Sequence, residues 1–464
     1  MSTTQQAQQV QNPEQLESEG GLLSPRYRTT TAGILIVVTL IAFEAMAVAT
    51  AMPTAVKALH GLAYYGWAFT GFLITNVVGI VTGGEISDRD GPRRPLLAGL
   101  SVFTAGLFIA GLAPNMASFI AGRAVQGFGS GLIIVAIYVV IAESYGESLR
   151  PKMFAAFSAA WVLPSLVGPV ISGALAQHVS WRAVFLMIPP FVLLGLTLIL
   201  PAVRRRADRA TSTAPIKRWR IALVAAVGVA TIQYAGQALR WWSVPLAAAG
   251  VLLLAVALRQ LFPAGTLRVR RGLPSVVAFR GISAGAFFAV DSYVPLTLTE
   301  LHGYGPTVAG VPLILGSIGW SVASWWQGRH ADVPRHRYIR AGFVFVMIAA
   351  WTMALLTVTG MPGWLAFVAW LIGGAGMGSV MPSLSILMLD LSPEAERGRN
   401  SSAMQIADVI TSAICVGLGG VMVAAAERTA LSLGVAIRSI DLAMGCFAIL
   451  GVVLAARVAL RAAR

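Results

Sequence analysis

Gly84-Glu85-Ile86-Ser87-Asp88-Arg89-Asp90-Gly91-Pro92-Arg93-Arg94-Pro95-Leu96 is a dense polar stretch between two long apolar runs, residues 67–83 before it and 96–113 after. The local reading is two membrane helices joined by a very short charged turn. Gly91 and Pro92 supply the turn, and the arginines hold it on the cytoplasmic side, where basic residues are retained.

Composition agrees with that reading. Of the 464 residues, 57% are hydrophobic and only 11% charged. A soluble domain has neither the core to hide so much apolar surface nor so few charges, so the chain is expected to cross the membrane many times. The net charge of +15 raises the question of nucleic acid. The 34 basic residues answer it by their distribution. Lys57, Arg182, Arg240, Arg428 and Arg438 fall on one side of the expected spans, Arg123 and Arg280 fall within them, and all the others lie on the opposite side. That is the positive-inside asymmetry, and no nucleic-acid partner is needed to explain it. Cys415 and Cys446 both lie in apolar runs and are read as packing residues.

Residues 1–30 are polar and Gln-rich, with no basic start leading into a short apolar core. A disordered cytoplasmic tail without a cleaved signal is expected. Runs long enough to cross about 30 Å of hydrocarbon then recur. Six fall near 31–52, 67–87, 95–113, 118–141, 152–175 and 182–201, and six more near 273–299, 306–327, 339–359, 364–389, 400–425 and 435–458. Between the sets, a basic stretch Arg204–Arg220 precedes two shorter runs, 221–238 and 242–258, broken at Arg240-Trp241-Trp242. Charge bias cannot separate twelve spans from fourteen, because an added pair preserves orientation. The near-absence of charge in these runs favours fourteen.

The expected organisation is therefore a tail (1–30), an N-terminal six-helix bundle (31–203), basic segments with two extra helices (204–272) and a C-terminal six-helix bundle (273–464). Both termini are expected in the cytoplasm, and the chain in the plasma (inner) membrane. Internal repetition supports two equivalent halves. Pro53-Thr54-Ala55-Val56-Lys57-Ala58-Leu59-His60-Gly61 reappears as Pro295-Leu296-Thr297-Leu298-Thr299-Glu300-Leu301-His302-Gly303, and Gly84-x-x-x-Asp88 reappears as Gly328-x-x-x-Asp332. Parallel repeats of this kind place a ligand site between the halves near the midplane.

The motif Gly84-x-x-x-Asp88-Arg89-x-Gly91-x-Arg93-Arg94 closely resembles the loop between helices two and three of major facilitator superfamily transporters. The resemblance implies an all-α integral membrane fold of two pseudo-symmetric six-helix bundles, here with two extra linker helices. It also implies a latch role for these residues: Asp88 meets the N-terminus of the span near 400–425 when the cytoplasmic side is closed. Asn400, Ser401 and Ser402 are suitable caps at that start. The plain alternative for Asp88 is a solvated charge.

Glu44 sits well inside the first span, in Phe43-Glu44-Ala45-Met46-Ala47-Val48-Ala49-Thr50-Ala51-Met52-Pro53. An acid at a helix centre costs about 2.5–3.5 kcal/mol on insertion scales, so something must offset it. A proton taken up and released as water access alternates is one way; pairing with a neighbouring helix is the other. An acid nine residues before a proline resembles the first-helix motif of fourteen-span drug:proton antiporters, with Met46 and Ala49 where that motif has Thr and Asn. Asp291 is a second acid at mid-depth, for proton coupling, for a cationic substrate or for structural pairing. Arg280 shares its face but lies roughly 16 Å away by helical rise, too far for a direct pair. Asp408, with Gln405 one turn before it, is a third candidate nearer the cytoplasm, where plain hydration is the alternative.

Arg123 and Gln126, three residues apart on one helix face, resemble the family's fourth-helix Arg-x-x-Gln-Gly motif, which implies that Arg123 biases nearby carboxyls. Pro164-x-x-x-Gly168-Pro169-x-x-x-Gly173 resembles the motif that marks exporters, and physically it predicts a kinked, closely packed helix. Trp181-Arg182-Ala183-Val184-Phe185 and Pro190 add to the fourteen-span likeness. Phe43, Gln126, Trp161, Phe287 and Trp320 are candidate cavity linings. The five histidines show no metal-ligand spacing and no Gly-Lys-Ser/Thr phosphate loop is present, so neither a metal, a cofactor nor ATP hydrolysis is expected. The implied activity is proton-coupled export of a hydrophobic or cationic drug-like small molecule, with protons and membrane lipid as its other partners. Export of a lipid or an endogenous secondary metabolite is the nearest alternative, and a non-transporting membrane scaffold or enzyme a remote one.

Overall fold

The computed structural model describes residues 21–204, 218–238, 240–330 and 332–458. Residues 1–20 of the expected tail, the centre of the basic stretch (205–217) and residues 459–464 lie outside the described residues. Fourteen helices among the described residues are long and apolar enough to cross a membrane. They are α1 (Arg28–Ala58), α2 (Leu62–Asp90), α3 (Arg93–Gly111), α4 (Met116–Ser144), α5 (Arg150–His178), α6 (Trp181–Pro201), α7 (Arg218–Ala238), α8 (Ser243–Leu261), α9 (Leu273–Glu300), α10 (Pro306–Arg329), α11 (Arg335–Leu356), α12 (Leu365–Leu391), α13 (Arg397–Arg428) and α14 (Leu433–Val458).

Most helices overrun their apolar runs by a few residues, because polar ends can stay helical in the interfacial layer. Between α2 and α3, only Gly91 and Pro92 leave the helices. Gly91 has φ 76°, a left-handed conformation that glycine adopts without a Cβ penalty. The segment just before α1 is ordered too: Tyr27 is buried and stacks on Tyr145, ring centroids 5.2 Å apart.

The two halves repeat the same packing. In the first, α4 packs on α2 and α3, and α1 on α5 and α6; in the second, α12 packs on α10 and α11, and α9 on α13 and α14. The halves meet along two equivalent seams, α2 against α13 and α5 against α10, with α1 and α9 between them. The hairpin α7–α8 lies outside this twofold pattern, with α7 packed on both α2 and α13. A small apolar cluster, including Val77, Val229, Leu254 and Ile410, fixes it there.

The seams are closed near the end of the bundle where α1 meets α2. Tyr65 Oη donates to Ser292 O at 2.8 Å, and Thr307 Oγ1 donates to Gln177 Oε1 at 2.9 Å. Gly66 and Gly420 meet so closely that a Cβ on Gly66 would lie 2.6 Å from Gly420 Cα. Small residues permit such backbone approach between membrane helices.

Candidate functional site

Three membrane-embedded acids singled out from the sequence each have a different partner. Glu44, on α1, is fully buried, and its Oε1 is paired with the guanidinium of Arg123 on α4. Arg123 also donates through Nε to Ala68 O (3.1 Å) and through Nη1 to Gln126 Oε1 (3.1 Å), and it lies 4.6 Å from the Phe72 ring centroid. A guanidinium cannot shed its proton, and here a carboxylate, two carbonyl-type oxygens and an aromatic face receive it. Among the described residues, Glu44 Oε2 and Gln126 Nε2 are buried without a hydrogen-bond partner. One carboxyl oxygen is thus held by charge while the other is left without a partner among the described residues.

Asp291, on α9, is only partly buried, and Trp370 Nε1 on α12 donates to its Oδ1 at 2.7 Å. The Trp370 ring stacks on Phe287 (centroids 5.1 Å apart), and Phe287 meets Trp320 edge-on at 6.3 Å. Phe288 completes the group, 5.4 Å from Phe287 and 6.5 Å from Trp320. Two of the expected cavity residues, Phe287 and Trp320, therefore stand together, and Phe287 is one helical turn from Asp291. Phe43 and Gln126 belong instead to the N-terminal half, beside Glu44. Trp161 is partly exposed on α5 and joins neither group. The structure does not bring Glu44 and Asp291 into contact. They belong to different halves, on the two central helices α1 and α9.

Asp408 is not a merely hydrated charge. It pairs with Arg280 across α9 and α13, Nη2 to Oδ2 2.8 Å, both side chains about one-fifth exposed. Arg280 thus reaches a different helix, consistent with its distance from Asp291.

The exporter-like motif on α5 buries Pro164, Gly168, Pro169 and Gly173. A Cβ on Gly168 would lie 3.4 Å from Met46 and 3.7 Å from Phe43, which flank Glu44 in sequence; one on Gly173 would lie 2.6 Å from Thr307 Cα in the other half. One helix therefore touches both the Glu44 neighbourhood and the contact between the halves at Thr307.

At the end of the bundle where α2 meets α3, Gly84 and Asp88 line a cavity of about 700 Å³ together with Glu85, Arg218, Arg399 and Asn400. Arg89 and Arg94 both pair with Asp90 (3.7 and 2.6 Å), and Arg93 opens α3. The expected capping role of Asn400, Ser401 and Ser402 is overturned: α13 begins at Arg397, so these residues lie within its first two turns. Asn400 is buried and its Nδ2 donates to Ser392 Oγ at 2.9 Å. Cys446 is likewise corrected, being exposed on α14, while Cys415 is buried.

Sequence reasoning passed over Asp441. It lies within α14, is buried, and neither carboxyl oxygen has a hydrogen-bond partner among the described residues. The cost argument applied to Glu44 would have found it, since it too is an acid inside an apolar run. Trp370 carried no signal, because its value lies in a contact with another helix.

Comparison with known proteins bears on the whole arrangement. The family model described as Major Facilitator Superfamily matches residues 34–415. Among curated proteins, MFS transporter L2 of Phoma sp. is 26% identical over 418 residues, covering 86% of this chain and 69% of that protein. The probable multidrug-efflux transporter Rv1634 of Mycobacterium tuberculosis is 27% identical over 401 residues, covering 81% of this chain and 83% of its own length. Multidrug resistance protein 3 of Bacillus subtilis is 24% identical over 399 residues, covering 80% and 74%. Among solved structures, a POT family transporter in complex with 5-aminolevulinic acid aligns with TM-score 0.70 at 15% identity, covering 93% of this chain and 96% of that one. At that identity the likeness speaks for the fold alone.

Proposed function

Because this chain belongs to the Major Facilitator Superfamily, and is thus a multi-pass membrane transporter rather than an enzyme, we propose that it is a proton-coupled exporter of hydrophobic or cationic drug-like compounds. It works as an antiporter by alternating access in the plasma (inner) membrane, both termini cytoplasmic, and its activity lowers sensitivity to antibiotics that it carries. The observation that carries this reading is Glu44: a carboxyl sealed in the membrane interior, one oxygen on Arg123 and the other without a partner. An acid that expensive to insert is retained where its charge state does work. Each proton moving inward yields about 2.3 kcal/mol per 100 mV of potential, enough to drive an amphiphile outward.

In this mechanism Arg123 holds the Glu44 carboxyl in place until water reaches it from outside, and Asp291 and Asp408 are further acids on the route. Phe287 and Trp320, with Trp370 and Phe288, offer aromatic faces to a lipophilic cation beside Asp291. Phe43, Gln126 and Trp161 line the opposing half. Gly84, Asp88, Arg89, Gly91, Arg93 and Arg94 form the cytoplasmic latch, and the proline–glycine helix α5 couples Glu44 to the outer closure. The relatives named for multidrug efflux agree with this substrate class.

The test uses the purified full chain in proteoliposomes loaded with a pH-sensitive dye. A lipophilic cation such as tetraphenylphosphonium should elicit proton flux that is lost in Glu44→Gln. Proton flux unchanged by that substitution, or transport without proton flux, refutes the coupling.

A further inference from the structure

The hairpin α7–α8 breaks the twofold pattern of the fold, and its contacts on α2 and α13 include two buried glutamines. Gln237, near the outer end of α7, is buried and ties together both halves. Its Oε1 accepts from Trp67 Nε1 at 2.8 Å, its Nε2 donates to Ala63 O at 3.3 Å, and its backbone carbonyl accepts from the Arg428 guanidinium. Trp67 and Ala63 belong to the N-terminal half, and Arg428 ends α13 in the C-terminal half. These bonds sit beside the Gly66–Gly420 contact, and Gly236 packs there against Val421.

One turn deeper on α7 the situation reverses. Gln233 is buried, yet among the described residues neither its Oε1 nor its Nε2 has a hydrogen-bond partner; nor does the buried hydroxyl of Thr70 on α2. Both face Gly417 of α13: a Cβ there would lie 3.0 Å from Gln233 Oε1 and 3.5 Å from Thr70 Oγ1. Leaving three buried polar atoms unpaired penalises the packed state, whereas Gln237 favours it.

We infer that α7 is a strap across the outer end of the α2–α13 seam, with Gln237 fastening the closed state and Gln233 and Thr70 loading it toward opening. The inference deepens the alternating-access reading by adding a third moving part to the two halves. Separation of α2 from α13 at the outer end breaks the Gln237 ties and withdraws Gly417 from Gln233. Its amide then gains space to pair with Thr70 or with water. The two glutamines act on the same equilibrium with opposite sign, which keeps either state from being locked.

The test is a spin-label distance measurement on the full chain in lipid nanodiscs. Labels go on Val179→Cys and Val308→Cys, exposed outer residues of opposite halves, in a Cys415→Ala, Cys446→Ala background. Without substrate or proton gradient, Gln237→Leu and Arg428→Met should each raise the long-distance population severalfold. Gln233→Leu should lower it by a similar factor. Trp67→Phe removes the same bond from the α2 side and should reproduce Gln237→Leu, which covers the case in which that variant folds poorly. Distributions unmoved by Trp67→Phe and Arg428→Met, or a Gln233→Leu shift of the same sign as theirs, overturn the strap. Because the readout involves neither substrate nor protons, loss of proton coupling would leave it standing.

Discussion

Both Nε and Nη2 of Arg280 point at a single oxygen of Asp408, at 2.9 and 2.8 Å. The pair fastens α9 to α13 inside the C-terminal half. Removing one partner leaves the other charge half-desolvated, which costs more than removing both. Asp408→Asn should therefore lower stability by about 1–3 kcal/mol, and Arg280→Met with Asp408→Leu by clearly less. Thermal unfolding of the detergent-solubilised protein checks this; equal losses in the single and double variants would refute it.

The Glu44–Arg123 pair is sealed from solvent, so the same asymmetry should be larger there. Arg123→Met strands Glu44 and should cost about 3–5 kcal/mol, with Glu44→Gln restoring much of it in the double variant. Arg123→Lys keeps the charge but cannot reach Ala68, Gln126 and Glu44 at once, so it should rescue only partly. A double-mutant cycle by thermal unfolding gives the coupling directly.

Gly66 should tolerate no side chain. Gly66→Val drives atoms into the α13 backbone at Gly420, so this end of the α2–α13 seam cannot close. Transport in proteoliposomes should fall more than tenfold, while expression and detergent stability change little. A wild-type rate would mean that this contact is not part of the cycle.

Glu85 reaches from α2 to the start of α7, where its two oxygens accept from Arg218 N (2.6 Å) and Trp219 N (3.1 Å). A carboxylate on the free N–H groups of a helix start typically stabilises by about 0.5–2 kcal/mol. Glu85→Ala should accordingly speed amide hydrogen exchange over the first turn of α7 severalfold, without changing α8.

Much of this fold was legible because a bilayer imposes length and hydropathy on every span. The runs at 221–238 and 242–258 and the break at Arg240-Trp241-Trp242 appear as α7, α8 and the turn between them. What spacing could not reveal was partnership between helices. Asp408 looked hydrated until α9 brought Arg280 to it, and Asp291 carried no hint of Trp370. Asn400 resembled a cap because helix starts are marked by local chemistry, yet α13 begins three residues earlier, at Arg397, where Glu394 and Glu396 form a preceding 3₁₀ turn. Asp441 was legible by the rule that marks Glu44, because it too is an acid inside an apolar run and lies buried in α14.

The position of α7 has a directional consequence. Of the two seams between the halves, the one between α2 and α13 is walled from the bilayer by α7, while the seam between α5 and α10 has no comparable cover among the described helices. The twofold symmetry of the halves is therefore not shared by their surroundings. The centre of the molecule has one flank turned to lipid and one turned to protein.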